Sequence, residues 1–568
     1  MNIDDYPMPD LSKFAANTQK SAVTTIKDPG PPTPAFFRNI ANRVGITHSY
    51  EVSAQKLQTG FAMHNQTGGG VTVIDFDLDG QPDLYFAQGA CDAPDFVATE
   101  SNQLLRKLDQ AYRNVTENAA ATDNRYTIGC TTGDWNQDGF PDLISANIGL
   151  SLLWLNNGDG TFRKIPIPGS DDLQRMPSSI AIADLDGDHL PDVYEGNYMK
   201  SEQIGRLPKR SASGRVIEAE GPGGFPAFQD RIMLNDGSGN MSAEFLGPTE
   251  DEKHHALGIV IADFDGQPGN DLFVGNDKSA NQLWTRDADT GRWTDVAMLK
   301  GTAFSFGGNG TASMGIASGD FDRSGTLDIH ITNFQNEPVC LFLRRDEVYE
   351  DRAVQFRLGP ASQAVLGFGT QALDYDNNGY LDLVVTNGHI EDYENMSGPF
   401  RQKAQLFANR GNRFEEVEVA DTSGYWEDVH LGRALARLDF DRDGRVDYVV
   451  THIDEPSALL RNETPATGHW VQLVLVGTTS ERDAVGARVT VRCGDQQWTD
   501  WLTGGDGYLC RNEAFLPFGL GDRNSVDEIT VDWPSGKTQT WNSLAVDQRV
   551  MLVEDQEESF ELHQRDVE

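Results

Sequence analysis

With 568 residues and 87 acidic against 46 basic side chains, the chain carries a formal net charge of −41, a field that repels nucleic-acid backbones and anionic membrane surfaces and attracts cations. The length exceeds what one ordinary hydrophobic core supports, so several domains or one large repeat architecture is expected. A hydrophobic content of 38% with 57 Gly and 25 Pro suits short strands joined by many turns, and no apolar run is long enough to span a bilayer.

The N-terminal stretch, residues 1–36, is polar and runs through Asp28-Pro29-Gly30-Pro31-Pro32-Thr33-Pro34. It lacks the basic start and apolar stretch of a secretory signal. The chain as written is therefore expected in the cytoplasm, or outside the cell if it is a processed form. The five cysteines (Cys91, Cys130, Cys340, Cys493 and Cys510) show no CxxC spacing and read as buried thiols rather than as a zinc or redox motif.

A repeat organises the chain from Asp75 to Asp447. Asp75, Asp77, Asp79 and Asp83 place oxygen ligands at relative positions 1, 3, 5 and 9 of a short loop. The same spacing recurs at Asp134, Asn136, Asp138 and Asp142, at Asp184, Asp186, Asp188 and Asp192, and at Asp263, Asp265, Gln267 and Asp271. It returns at Asp320, Asp322, Ser324 and Asp328, at Asp374, Asp376, Asn378 and Asp382, and at Asp439, Asp441, Asp443 and Asp447. Alternate oxygen side chains on a tight loop point inward together, and Gly at position 6 of five copies (Gly80, Gly139, Gly325, Gly379, Gly444) permits the turn. Such a cage suits a hard cation, and calcium, which takes six to eight oxygens in flexible geometry, fits better than magnesium. Up to seven calcium ions are expected. The loop shares positions 1, 3 and 5 with an EF-hand but lacks its acidic position 12 in all but the third copy (Glu195), with Phe86 there in the first and Val385 in the sixth. Strand-like runs, not helices, flank each loop.

Two further periodicities share this frame. Five residues before each first Asp stands a small residue: Gly70, Gly129, Ser179, Gly258, Gly315, Gly369 or Ala434. Five residues after the last ligand stands Gln88, Asn147, Asn197, Asn276, Asn333, Asn387 or His452. Small residues suit inner strands converging on an axis, and amides suit a turn that needs side-chain capping. A second hairpin follows each loop, as in 153–162 and 405–414. Two hairpins per repeat make a four-stranded blade, and seven blades make an all-β, seven-bladed β-propeller over residues 37–463.

These loops and blades resemble FG-GAP/VCBS repeats, the calcium-binding blades of integrin-α-like propellers. Repeat 3 departs from the pattern with Gly187 and His189 at positions 4 and 6, repeat 4 has Gln267 and repeat 5 has Ser324 at position 5, so weaker binding is expected at those three sites. Beyond Thr464 the period stops and a small β domain is expected over 464–556, followed by a charged tail, 557–568. Its segments 480–489, Gly507-Tyr508-Leu509, Phe518-Gly519-Leu520-Gly521 and Trp533-Pro534-Ser535-Gly536 resemble the ASPIC/UnbV domain. A linker at 464–468 is expected to make the two parts separable.

HExxH, Walker A, GxSxG and CxxC patterns are absent, so the commonest hydrolase and nucleotide-binding readings have no motif. His254, His255, His389, His430 and His452 fall at strand ends that a propeller gathers at one rim. They are candidates for an acid/base site or a second, transition-metal site at the channel mouth. Two function classes stay open: a calcium-binding scaffold for a protein or small-molecule ligand, implied by the resemblance, and a calcium-dependent enzyme of secondary-metabolite biosynthesis.

Overall fold

The computed structural model describes residues 30–52, 59–246, 254–287, 290–465 and 468–562. Most of the expected N-terminal extension, two residues of the expected linker and the end of the tail lie outside them.

Seven antiparallel sheets follow the seven loops. The first comprises Val71–Ile74, Asp83–Phe86, Gln103–Leu108 and Ala111–Asn114, with the Asp75 loop joining its first two strands. The seventh comprises Gly432–Leu438, Asp447–His452 and Glu455–Asn462, then Ala35–Asn39 from the other end of the chain, with the two-residue Val419–Ala420 at the edge. Phe37 pairs with Asn462 and Asn39 with Leu460. The ring is thus closed by a strand remote in sequence, two residues earlier than the boundary read from composition.

The first strand of each sheet packs against the first strand of the next, and Gly432–Leu438 packs against Val71–Ile74, completing the circle. The small-residue rule has its cause here. A Cβ at Gly70 would lie 2.8 Å from the Gly129 Cα, one at Gly258 2.5 Å from the Met314 carbonyl, and one at Gly369 2.6 Å from the Arg433 carbonyl. Each position faces the neighbouring blade's backbone, where a side chain would force the ring apart.

The amide rule also resolves. Asn147 donates to the Leu150 carbonyl at 2.9 Å, Asn276 to Ala280 at 2.9 Å and Asn333 to Pro338 at 2.7 Å. Each amide caps the turn between the second and third strands of its blade.

The C-terminal part forms two more four-stranded sheets, one built on His469–Val476 and Gln548–Val553, the other on Arg488–Cys493 and Val526–Asp532. Val471, Leu473, Val489, Val491, Ile529 and Leu552 fill the core between them. Ser559–Glu561 pairs with Gln548–Val553 as an edge strand, and the buried Glu554 carboxylate takes the N–H groups of Thr478, Thr479 and Ser480 at 2.8–2.9 Å. Five buried thiols stand free, as expected.

The two parts are in intimate contact. Residues 504–511 leave the C-terminal sheets and run into the centre of the ring. Gly504–Gly505 pairs with Ile261 and Val260, Cys510–Arg511 pairs with Val71 and Thr72, and Gly507 exchanges backbone hydrogen bonds with Ile316 at 2.5 and 2.9 Å. Tyr508 is fully buried against Phe368, ring centroids 5.1 Å apart. The segment 59–70 also contributes to this centre. The Gln66 carbonyl accepts Arg433 Nε at 2.9 Å and the Gly69 carbonyl accepts the Thr451 hydroxyl at 2.5 Å.

Candidate metal centre

Each loop is shaped by its first aspartate. Asp75 accepts the N–H of Asp79 at 3.0 Å and of Gly80 at 2.9 Å. Asp134, Asp320, Asp374 and Asp439 do the same for positions 5 and 6 of their loops. The irregular third loop shifts one of these bonds to position 4. Asp184 takes the N–H of Gly187 at 2.7 Å and of His189 at 3.0 Å, with His189 at φ 69° where five other loops place Gly.

The ninth position ties the loop to its blade. Asp142 accepts the Trp135 N–H at 3.0 Å and the third-strand Asn156 N–H at 2.7 Å, and Asp192, Asp328 and Asp447 repeat the pair. Position 5 mostly caps the backbone two residues on, as Asp79 does for Gln81, Asp138 for Phe140 and Asn378 for Tyr380. Positions 1, 3 and 9 then converge. In Asp75/Asp77/Asp83, Asp184/Asp186/Asp192, Asp263/Asp265/Asp271, Asp320/Asp322/Asp328 and Asp374/Asp376/Asp382, one oxygen from each residue lies within 4.8 Å of the others.

Burial of like charge leaves its mark. Burial first, and neighbouring carboxylates after it, push Asp75 up to about 6, Asp320 to about 7 and Asp271 to about 8. Asp83, Asp328 and Asp382 rise well above the usual carboxylate range for the same reasons. Asp77 Oδ1 is buried with no hydrogen-bond partner. All-oxygen donors, crowded and partly unsatisfied, fit a hard divalent cation. Propeller arginines reach three of the loops: Arg106 contacts Asp77, Arg345 contacts Asp322, and Arg461 Nη2 lies 2.6 Å from Asp441.

The histidines behave otherwise. His430 and His452 do meet, with ring centroids 4.8 Å apart. However, His452 Nδ1 bonds the Pro456 carbonyl at 2.8 Å and its Nε2 meets the Tyr425 hydroxyl at 3.1 Å. His430 Nδ1 bonds Glu455 at 3.0 Å and its Nε2 the Tyr425 carbonyl at 3.1 Å. All four nitrogens are committed, so the expected shared transition metal has no ligand atom on these two rings. His452 caps its turn as the asparagines of other blades do. His389 packs edge-on to Phe334 and Tyr393, with its Nδ1 taking the Glu391 N–H at 3.4 Å. His254 meets Ser279 and His255 the Tyr198 carbonyl. Burial pulls His389 down to about 4 and His452 to about 3, which disfavours an imidazolium at either.

Sequence reasoning missed what covers the loops. Asp483 accepts the Asp134 N–H at 2.9 Å, and Arg482 Nε lies 3.4 Å from the Asp134 carboxylate. Gln472 donates to Asp439 Oδ2 at 2.9 Å, and Glu513 accepts the Asp439 N–H at 3.0 Å. Trp498 donates to the Gly379 carbonyl at 3.0 Å and Arg488 to that of Gly325 at 3.1 Å. A cavity of about 30 Å³ between Asp320, Asp374, Trp498 and Asp500 remains at this seam.

Comparison with known proteins accords with this two-part layout. Residues 134–195, which run from the second loop through the third, match the FG-GAP-like repeat, and residues 477–559 match the ASPIC and UnbV family. The chain carries an FG-GAP-like repeat and an ASPIC/UnbV domain. It is 27% identical over 297 residues to cartilage acidic protein 1 of Xenopus tropicalis, covering 50% of this chain and 42% of that protein. To the human protein of the same name it is 24% identical over 502 residues, covering 85% of this chain and 62% of the other. The chain thus spans roughly half of these relatives' lengths. Among solved structures, Saccharomyces cerevisiae Sqt1 is 11% identical with a TM-score of 0.39, covering 74% of this chain and 99% of that one. The six-bladed propeller of Aleuria aurantia lectin is 12% identical with a TM-score of 0.32, covering 62% and 96%. The ASPIC/UnbV match includes Asp483, Glu513 and the segment 504–511 that enters the ring, and Gln472 precedes it in the same C-terminal sheets. No helix among the described residues is long and apolar enough to cross a membrane.

Proposed function

We propose that the chain is a calcium-loaded β-propeller that acts as an interaction scaffold. The observation that carries this reading is the repeated convergence of carboxylates from positions 1, 3 and 9 in a loop whose backbone is already fixed by position 1. Calcium would be held by those residues, with position 5 and backbone or water oxygens completing the shell. Its contribution is charge neutralisation, which lets buried aspartates ionise without repelling one another. The partner, a protein or a small molecule, is left open by this reading, and the histidines lend no support to the enzyme alternative.

The test is metal analysis of the purified full chain, with melting measured before and after exhaustive EGTA treatment. Several calcium equivalents per chain and a melting temperature that falls on chelation are expected, because a ligand that binds only the folded state stabilises it by mass action. An unchanged melting temperature with no bound calcium refutes the reading.

A further inference from the structure

The ASPIC/UnbV domain touches the propeller through the loops' own first ligands. The Asp134 N–H is held by Asp483, and Asp439 is held twice, its N–H by Glu513 and its Oδ2 by Gln472. Arg442, from the same loop as Asp439, pairs with Glu513 and donates to the Gly80 carbonyl at 2.5 Å, tying the seventh loop to the first. The same domain supplies 504–511, whose place in the ring depends on backbone pairing to strands of three different blades.

In both loops the first aspartate takes the N–H groups of positions 5 and 6, and Gln472 bonds the same Asp439 oxygen, Oδ2, that takes the Gly444 N–H, so that contact is tied to the inward-facing loop conformation. A cation held by the oxygen ligands of those two loops, Asp134, Asn136, Asp138 and Asp142 in the second and Asp439, Asp441, Asp443 and Asp447 in the seventh, would stabilise that conformation. Without one, crowded carboxylates favour a wider loop. We infer, on the calcium reading above, that cation binding in the loops of the second and seventh blades latches the ASPIC/UnbV domain onto the propeller and keeps 504–511 seated in the ring. Linkage makes the effect reciprocal: a docked domain raises the cation affinity of those two loops. Gln472 is a positioning residue here, acting on the cation through Asp439.

Hydrogen exchange on the full chain, with saturating calcium and then with EGTA, tests the latch, and bound calcium is counted in parallel. Exchange at 504–511 is expected to rise about tenfold or more on calcium removal, while Gln548–Val553, inside the domain's own sheet, stays protected. Gln472→Ala is expected to weaken one calcium site several-fold and to raise exchange at 504–511 even with calcium present. Bound calcium with unchanged exchange at 504–511 overturns the latch and leaves the calcium reading standing. Equal loss of protection in 504–511 and Gln548–Val553 also overturns it, since the domain would then be unfolding rather than releasing. A chain that binds no calcium ends both.

Discussion

The Asp483 carboxylate accepts the backbone N–H of Asp134 at 2.9 Å, so a residue 349 positions away helps to set the entry to the second loop. Contacts of this kind, spread over several blades, make the C-terminal domain part of the propeller's surface. Proteolysis at 464–468 is therefore expected to cut the chain without separating the pieces. Size-exclusion chromatography after cleavage should show both fragments eluting together under native conditions; independent elution would contradict the docked arrangement.

The seated segment 504–511 depends on backbone geometry. Gly505 has φ +77°, and a Cβ there would lie 2.5 Å from the Ile259 carbonyl. Gly505→Ala combines an unfavourable backbone region with a clash against an inner strand and is expected to cost about 2 kcal/mol or more. Denaturant unfolding of the variant measures it.

His452 does the work of the asparagines at equivalent sites. His452→Asn keeps a donor for the Pro456 carbonyl and is expected to stay within about 1 kcal/mol of the parent, whereas His452→Ala leaves that turn uncapped and costs about 1–2 kcal/mol. A His452→Asn variant far less stable than His452→Ala would show that the ring is needed for something other than capping.

Buried acids outside the loops predict a pH dependence. Asp500, fully enclosed near Arg437 and Asp506, is pushed up to about 7, chiefly by burial. The folded chain therefore holds a proton there that the unfolded chain, with an ordinary carboxylate, has released. Stability from this group is present at low pH and is lost as pH rises from about 4 through about 7. Asp500→Asn, which cannot ionise, is expected to reduce the difference in melting temperature between pH 5.5 and pH 8 measured in the same buffer series. An unaltered difference would show that Asp500 ionises freely in the folded chain.

The loops, the blades and the small inner residues were legible in the sequence because each is governed by local or repeated constraints. Asp75 bonds the backbone four and five residues on, and the steric demand at Gly70 recurs at Gly129, Gly258 and Gly369. A pattern imposed once per blade leaves a period that can be read. The tertiary structure alone decided the rest. Ala35–Asn39 closes the seventh sheet and 504–511 enters the ring through backbone pairing, which many side chains tolerate and which leaves little trace beyond glycines such as Gly505. The rim histidines illustrate the same division: sequence placed His430 and His452 together, and only the fold showed that Tyr425, Glu455 and Pro456 already hold their nitrogens. Local hydrogen bonding writes itself into composition and spacing, whereas partners hundreds of residues apart are chosen by packing.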